Sequence, residues 1–318
     1  MTRPVRLSAS GVSTSSAATV AELGLPSRLA LNLAVKGALA AAASVGLFVG
    51  GSSAARAGLQ RQAKLAQERI GLAEAPPLRD GVYRVDGSYL PPARAARRKI
   101  SALRMAMLGD SSSAGFGAGD EDSLPGVMLA RALAAELGRP VQLFTHAMVG
   151  TGAADLARQC DEAVLEEPDL VVIIVGPNDV RNRVSPAVSV RELAEAVGSL
   201  RSKHIAVVVA TCPDLGVIAP IPSPLRQLAG HWSRSLANRQ EQAVAQAGGV
   251  AVPIGRLISP GFAGHPELFS ADRFHPSGEG YALAVAVLVP AVFTAFGWAR
   301  PDQVITRESI QPDAQRLG

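Results

Sequence analysis

The sequence predicts an α/β domain built on a parallel sheet, and three observations carry that reading. From about residue 100 to 298, short aliphatic runs alternate with segments of helical length and amphipathic spacing. The run Leu170 to Val175 (LVVIIV) is aliphatic without a break, the pattern of a strand buried on both faces. Only 4% of the chain is aromatic although 48% is hydrophobic, so small aliphatic side chains supply the packing, as helices lying close on a sheet require. At 318 residues the chain accommodates one domain of roughly 200 to 230 residues and an appendage.

The appendage comes first. Residues 1–28 are rich in Ser, Ala, Thr and Gly, show no sustained periodicity, and read as a disordered leader. Residues 29–57 contain the uncharged stretch Gly37 to Ala55 between Lys36 and Arg56, close to the roughly 20 residues that cross a bilayer. Three readings compete for it: an uncleaved signal anchor, a cleaved signal peptide with Ala55-Arg56-Ala57 as the small-x-small site, or a soluble Ala-rich helix. The long leader favours the anchor, which places the protein at the cell membrane, with secretion as the alternative. Residues 58–99 are expected to be a stalk helix and linker: Leu59 to Ala73 has helical spacing until Pro76-Pro77 and reads as a stalk or an interfacial helix, and 75–96 reads as extended, with room for a short hairpin. Residues 299–318 form a carboxyl-terminal tail.

The domain, residues 100–298, is then expected to run strand, helix, strand in order. Met105 to Gly109 ends a first strand in the turn Gly109-Asp110-Ser111-Ser112-Ser113. A helix over 124–137 is stopped by Gly138-Arg139-Pro140, and a strand over 141–144 leads into the glycine-bearing loop 145–152. A helix over 153–166 precedes the central strand 170–175, which ends in Gly176-Pro177-Asn178-Asp179. Helix 186–203, strand 205–210, the proline-rich loop 217–223, helix 224–247, strand 250–254 and a final helix 281–296 complete the pattern.

Residues at the carboxyl ends of strands in such a sheet project into a crevice, which makes Ser111 a candidate nucleophile, although Gly, Asp and Ser are also ordinary turn formers. Asn178 is able to donate its amide N–H to a developing oxyanion without adding a titrating group. Asp272 and His275 stand three apart in a polar loop before the last helix, a spacing at which the carboxylate orients the imidazole. The remaining histidines, His146, His204, His231 and His265, have no carboxylate in that register, and His146 stands nearest the glycine loop. Cys160 and Cys212 lie in no CxxC or Cys/His cluster, so no metal site or other cofactor is expected. They are read as two separate buried thiols unless an oxidising compartment pairs them. A net charge of +4 without a basic stripe, and too few aromatics for a stacking surface, argue against nucleic acid as a partner. Oligomeric state is not legible.

Four separated blocks resemble those of the SGNH, or GDSL-like, hydrolase family. They are Gly109-Asp110-Ser111 with Gly115, Gly150 in the loop after the second strand, Gly176-x-Asn178-Asp179, and Asp272-x-x-His275-Pro276. The chain departs from the family pattern in having Ser112 after the serine and Thr145-His146-Ala147 where an asparagine is common. The resemblance implies a flavodoxin-like three-layer α/β/α sandwich with a five-stranded parallel sheet. It also implies Ser111 as nucleophile, His275 as general base and then acid, and Asp272 as its orienting partner. The oxyanion donors it implies are the N–H groups of Ser111 and Gly150 and the amide of Asn178. The function so implied is hydrolysis of carboxylic esters of small-molecule, lipid or glycan alcohols. Acyl transfer to a sugar or lipid acceptor at the membrane is the alternative, and a non-catalytic binding module a third reading.

Overall fold

The computed structural model describes residues 53–70, 74–98 and 100–298; the leader and most of the uncharged stretch Gly37 to Ala55 lie outside them. Five strands run parallel: β3 (Leu103–Gly109), β4 (Val141–Thr145), β5 (Leu170–Ile174), β6 (Ala206–Ala210) and β7 (Val250–Val252). Two more, β1 (Gly81–Tyr83) and β2 (Tyr89–Leu90), form a hairpin that joins the β4 edge antiparallel. The sheet is therefore mixed and seven-stranded, in the order β2-β1-β4-β3-β5-β6-β7, which corrects the expected five-stranded parallel sheet. The hairpin comes from the segment read as a linker. Its turn is closed by Asp86, whose carboxylate accepts from the Ser88 N–H and hydroxyl, and it is tied to the sheet by Asp80. That carboxylate accepts from the Thr145 N–H at 3.0 Å and the Thr145 hydroxyl at 2.7 Å.

The period-two geometry of the strands sorts their side chains onto two faces. Met105, Met107, Val172 and Val208 point to one side, where helices α2 (Pro125–Leu137) and α6 (Gly278–Ala295) cover them. Ala106, Leu108, Val171, Ile173, Val207 and Val209 point to the other. There they meet α3 (Leu156–Val164), α4 (Pro186–Ser202) and the end of α5 (Leu225–Gln246). Both faces are buried, which is why β5 and β6 read as unbroken aliphatic runs. Helix ends follow the local chemistry: Pro125 and Pro186 sit in first turns, where a missing N–H costs nothing, and Gly138 closes α2 in the left-handed conformation.

The amino-terminal helix, α1 (Ser53–Arg69), is docked on the domain and does not stand off as a stalk. Gln62 donates to the Ser223 carbonyl at 2.7 Å and accepts from the Leu225 N–H at 3.0 Å, while Ala66 is buried against Leu215, Ile218 and Ile221. Sequence spacing alone shows a helix here; the partner that buries its face is more than a hundred residues away.

Candidate active site

Strand order reverses direction of growth between β3 and β5, and the crevice beyond their carboxyl ends is where an open parallel sheet places ligands. Gly109 holds that point together. Its φ is +120°, and a Cβ there would fall on the Ile174 carbonyl oxygen, so a side chain would prise β3 from β5. Asp110 N then donates to Ile174 O at 3.0 Å, and Asp110 Oδ1 accepts from Ser112 N at 2.9 Å. The tight turn aims Ser111, only 8% exposed, over the sheet edge.

The loop before α6 brings the other half of the site to the same place. Ser111 Oγ lies 2.9 Å from His275 Nε2, and His275 Nδ1 lies 2.6 Å from Asp272 Oδ2. The second oxygen of Asp272 accepts three bonds, from Ser270 Oγ, Phe274 N and His275 N, at 2.7 to 2.9 Å. Burial works against ionisation of Asp272, but the bond and charge of His275 and those further donors outweigh it, and its carboxyl is held below the usual value. Phe274 meets the His275 ring edge-on at 5.0 Å and Phe116 is tilted against it at 5.5 Å, which fixes the imidazole plane. Asp110 behaves oppositely: burial pushes its carboxyl up to about 6, against the pull of the Ser112 N–H and of His275.

Gly150 and Asn178 lie in two segments joined to each other and to Gly109: Met148 N and the Thr151 hydroxyl both donate to Gly109 O. Gly150 has φ +82°, a left-handed turn suited to glycine. Among the described residues neither its N–H nor that of Ser111 donates to a protein acceptor. Asn178, in the helical turn Pro177–Arg181, is buried and gives an amide hydrogen to the Thr151 carbonyl at 2.8 Å. Ser111, Gly150 and Asn178 thus follow the carboxyl ends of the neighbouring strands β3, β4 and β5.

Beside Gly109 is a set of buried polar residues, of which the sequence reading passed over Gln159 and Ser189. Gln159, fully buried on α3, accepts from Gly109 N at 2.7 Å and donates to Gly109 O at 3.0 Å. Thr151 Oγ1 contacts the same carbonyl and that of Met148. Asp179 accepts from Ala153 N and from the Ser189 hydroxyl, pinning the segment that follows Gly150; burial raises its carboxyl, with those donors opposing. One signal was available for Gln159: it falls on the apolar stripe Leu156, Cys160, Ala163 of an otherwise amphipathic helix.

The other histidines stand apart from the triad. His231 and His204 are exposed, and His265 pairs with Glu267 on the surface. His146 lies 4.0 Å from Glu162 with its Nε2 buried and unpaired. Cys160 and Cys212 are both free and buried in different clusters. No group of His, Cys, Asp and Glu suited to a metal ion occurs among the described residues.

Comparison with known proteins agrees with this geometry. Residues 107–283 match the GDSL-like Lipase/Acylhydrolase family. The chain is 41% identical over 275 residues to the GDSL-like esterase Rv1075c of Mycobacterium tuberculosis, with 84% of each chain covered. Among solved structures it is similar to TesA (TM-score 0.49, 22% identity, 60% of this chain and 99% of that one). It is also similar to a lipase/acylhydrolase from Enterococcus faecalis (TM-score 0.46, 24% identity, 63% and 99% covered). A match that takes in the serine turn, the glycine loop, the asparagine turn and the Asp-His loop, together with a relative so close over most of its length, means that this chain belongs to the GDSL-like lipase/acylhydrolase family.

Proposed function

We propose that the protein is a serine hydrolase of carboxylic esters that works through an acyl-enzyme. One observation carries the reading: the 2.9 Å and 2.6 Å contacts that link Ser111, His275 and Asp272 across the rim of the sheet. In the first step His275 Nε2 takes the Ser111 proton as Oγ attacks the ester carbonyl. Asp272 holds the proton on Nδ1 and stabilises the imidazolium that forms. The N–H groups of Ser111 and Gly150 and the free amide hydrogen of Asn178 receive the negative oxygen of the tetrahedral intermediate. Imidazolium then returns its proton to the departing alcohol. In the second step His275 takes a proton from water as its oxygen adds to the acyl carbonyl; the bond from the acyl carbon to Ser111 Oγ then breaks, the imidazolium returns the proton to Oγ, and the acid leaves.

Hydrolysis is preferred to acyl transfer because the Mycobacterium tuberculosis relative is named an esterase. Ser111→Ala is expected to lower kcat on p-nitrophenyl butyrate by at least about 10⁴-fold while the protein stays folded. Retention of wild-type turnover contradicts the assignment.

The location belongs to the same proposal. The uncharged stretch Gly37 to Ala55 supports an anchor or an export signal, and so a catalytic domain outside the cytoplasm. Cell fractionation with an accessibility label on the catalytic domain tests this, and a domain shielded inside intact cells would refute it.

A further inference from the structure

Gly109 closes β3 two residues before Ser111, and both of its backbone polar groups are held by one side chain. Gly109 N donates to Gln159 Oε1 at 2.7 Å, and Gly109 O accepts from Gln159 Nε2 at 3.0 Å. β4 ends at Thr145, opposite Met107, so the chain beyond it no longer runs beside Gly109 as a strand. The Gln159 amide takes the place that one more peptide of the ladder would fill. Its orientation is fixed by complementarity, because turning the amide over would set N–H against N–H and oxygen against oxygen. Gln159 is fully buried on α3, so water has no access to replace it, and a Gly109 N–H without it would be an orphan in the core.

The same junction fastens the segments that carry the other two proposed oxyanion donors. Met148 N donates to Gly109 O at 3.0 Å, and Thr151 Oγ1 lies 2.9 Å from Gly109 O and 2.7 Å from Met148 O, so the loop is tied on both sides of Gly150. Gln159 Nε2 also lies 3.4 Å from Thr151 Oγ1. Thr151 O in turn accepts the Asn178 amide at 2.8 Å. Ser111, Gly150 and Asn178 come from three segments far apart in sequence, and all three are anchored to Gly109, Gln159 and Thr151.

We propose that Gln159 is a positioning residue of the oxyanion hole: by gripping Gly109 and, with Thr151, the loop at 148–151, it sets the spacing of the Ser111, Gly150 and Asn178 donors. The proposal rests on the acyl-enzyme reading above. Being buried, Gln159 acts only through the backbone that it holds. Donors shifted by a fraction of an ångström change the binding of a neutral ester carbonyl little and that of a full oxyanion greatly, so the effect belongs to kcat and to transition-state analogues and not to KM.

The test measures p-nitrophenyl butyrate hydrolysis and inhibition by butylboronic acid on the full chain, with active sites counted by end-point labelling with a fluorophosphonate. Butylboronic acid forms a bond from boron to Ser111 Oγ while His275 takes the hydroxyl proton, which gives a tetrahedral anion like the intermediate. Gln159→Met keeps the length of the side chain and removes the amide. It is expected to lower kcat by about 10²-fold with KM nearly unchanged, and to raise the boronic acid Ki by at least about tenfold, while the site count per chain stays at the parent value. Thr151→Val, a milder change, is expected to act in the same direction by about tenfold in kcat, and Thr151→Ser, which keeps the hydroxyl, to regain most of that loss. Should Gln159→Met fail to fold, the Thr151 pair decides. A kcat that stays within about threefold of the parent, a loss confined to KM, or a loss matched by fewer labelled sites with the boronic acid Ki unchanged overturns the proposal and leaves the esterase reading intact. A parent chain that neither hydrolyses the ester nor is captured by the boronic acid overturns both.

Discussion

Replacing Asp272 by Asn separates orientation from mere presence of a polar group. In the native site Oδ2 accepts the Nδ1 proton of His275 at 2.6 Å, while Oδ1 holds Ser270 Oγ, Phe274 N and His275 N. The amide of Asp272→Asn keeps an oxygen for those three donors and turns its NH₂ toward the ring. Nδ1 must then accept, the ring proton moves to Nε2, and Nε2 loses the lone pair that takes the Ser111 proton. The loop survives and the base is lost. The expected fall in kcat is about 10⁴-fold, or about 5 kcal/mol in the barrier at roughly 1.4 kcal/mol per decade. KM should change little, since no donor facing the substrate is altered. Asp272→Ala, by contrast, orphans three donors at about 1 to 3 kcal/mol each where buried, so its loss of activity should come with a lower Tm. Steady-state kinetics on p-nitrophenyl butyrate with thermal melts of both variants decide the matter. If Asp272→Asn keeps kcat within tenfold of the parent, Asp272 does not set the imidazole tautomer and the relay drawn here is wrong.

Three further outcomes follow from other parts of the structure. Asn178→Ala removes one of the three proposed oxyanion donors and the tie to Thr151 O, and should lower kcat by about 10² to 10³-fold with KM near its original value; a change confined to KM would count against an oxyanion role. Asp110→Asn tests the buried carboxyl that burial pushes up from 3.8 to about 6. Because its folded value is raised, the native state holds that proton more tightly than the unfolded chain. Stability from this group is therefore present below pH 3.8 and is lost as pH rises through about 6. The interval corresponds to on the order of 3 kcal/mol at about 1.4 kcal/mol per pH unit. The variant should be more stable than the parent in urea at pH 8 and lose that advantage toward pH 4; an advantage independent of pH refutes the assignment. Gln62→Ala cuts both hydrogen bonds that hold α1 to residues 223 and 225. At about 0.5 to 1.5 kcal/mol each, local opening of α1 should bring on the order of tenfold faster tryptic cleavage at Arg61 and Lys64; an unchanged rate means that packing of Ala66 suffices.

What was legible in the sequence is what local chemistry fixes. The parallel strands and long helices are written in period and punctuation: Leu170 to Val175 as a doubly buried strand, Gly138 and Pro186 as helix boundaries. Ser111, Asp272 and His275, which the structure brings into contact, were legible because each sits in a short segment whose composition departs from its surroundings, and their order along the chain matched a family. What escaped depends on partners distant in sequence. A short hairpin was expected within 75–96, but not that it extends the sheet, which it does by pairing with β4 and through Asp80 and Thr145, 65 positions apart. Helix α1 shows its spacing but not the loop at 215–225 that receives it. Ser189 looks like an ordinary helix residue until the turn it fastens is known, and Gln159 shows only that it lies on the apolar stripe of its helix, not that it holds Gly109. The short helices Ile254–Leu257 and Ser259–Phe262, which follow β7, are below the length at which a helical period can be read.

The central claim is that Ser111 is a nucleophile made reactive by His275. A fluorophosphonate probe tests it most directly, since phosphonylation needs both the hydroxyl and the base that deprotonates it. Intact mass and peptide mapping of the full chain should show one adduct, on Ser111, formed quickly in the parent and at least about 10³-fold more slowly in His275→Ala. An adduct on Ser112 or Ser113, or labelling of Ser111 at the same rate without the imidazole, would contradict the account.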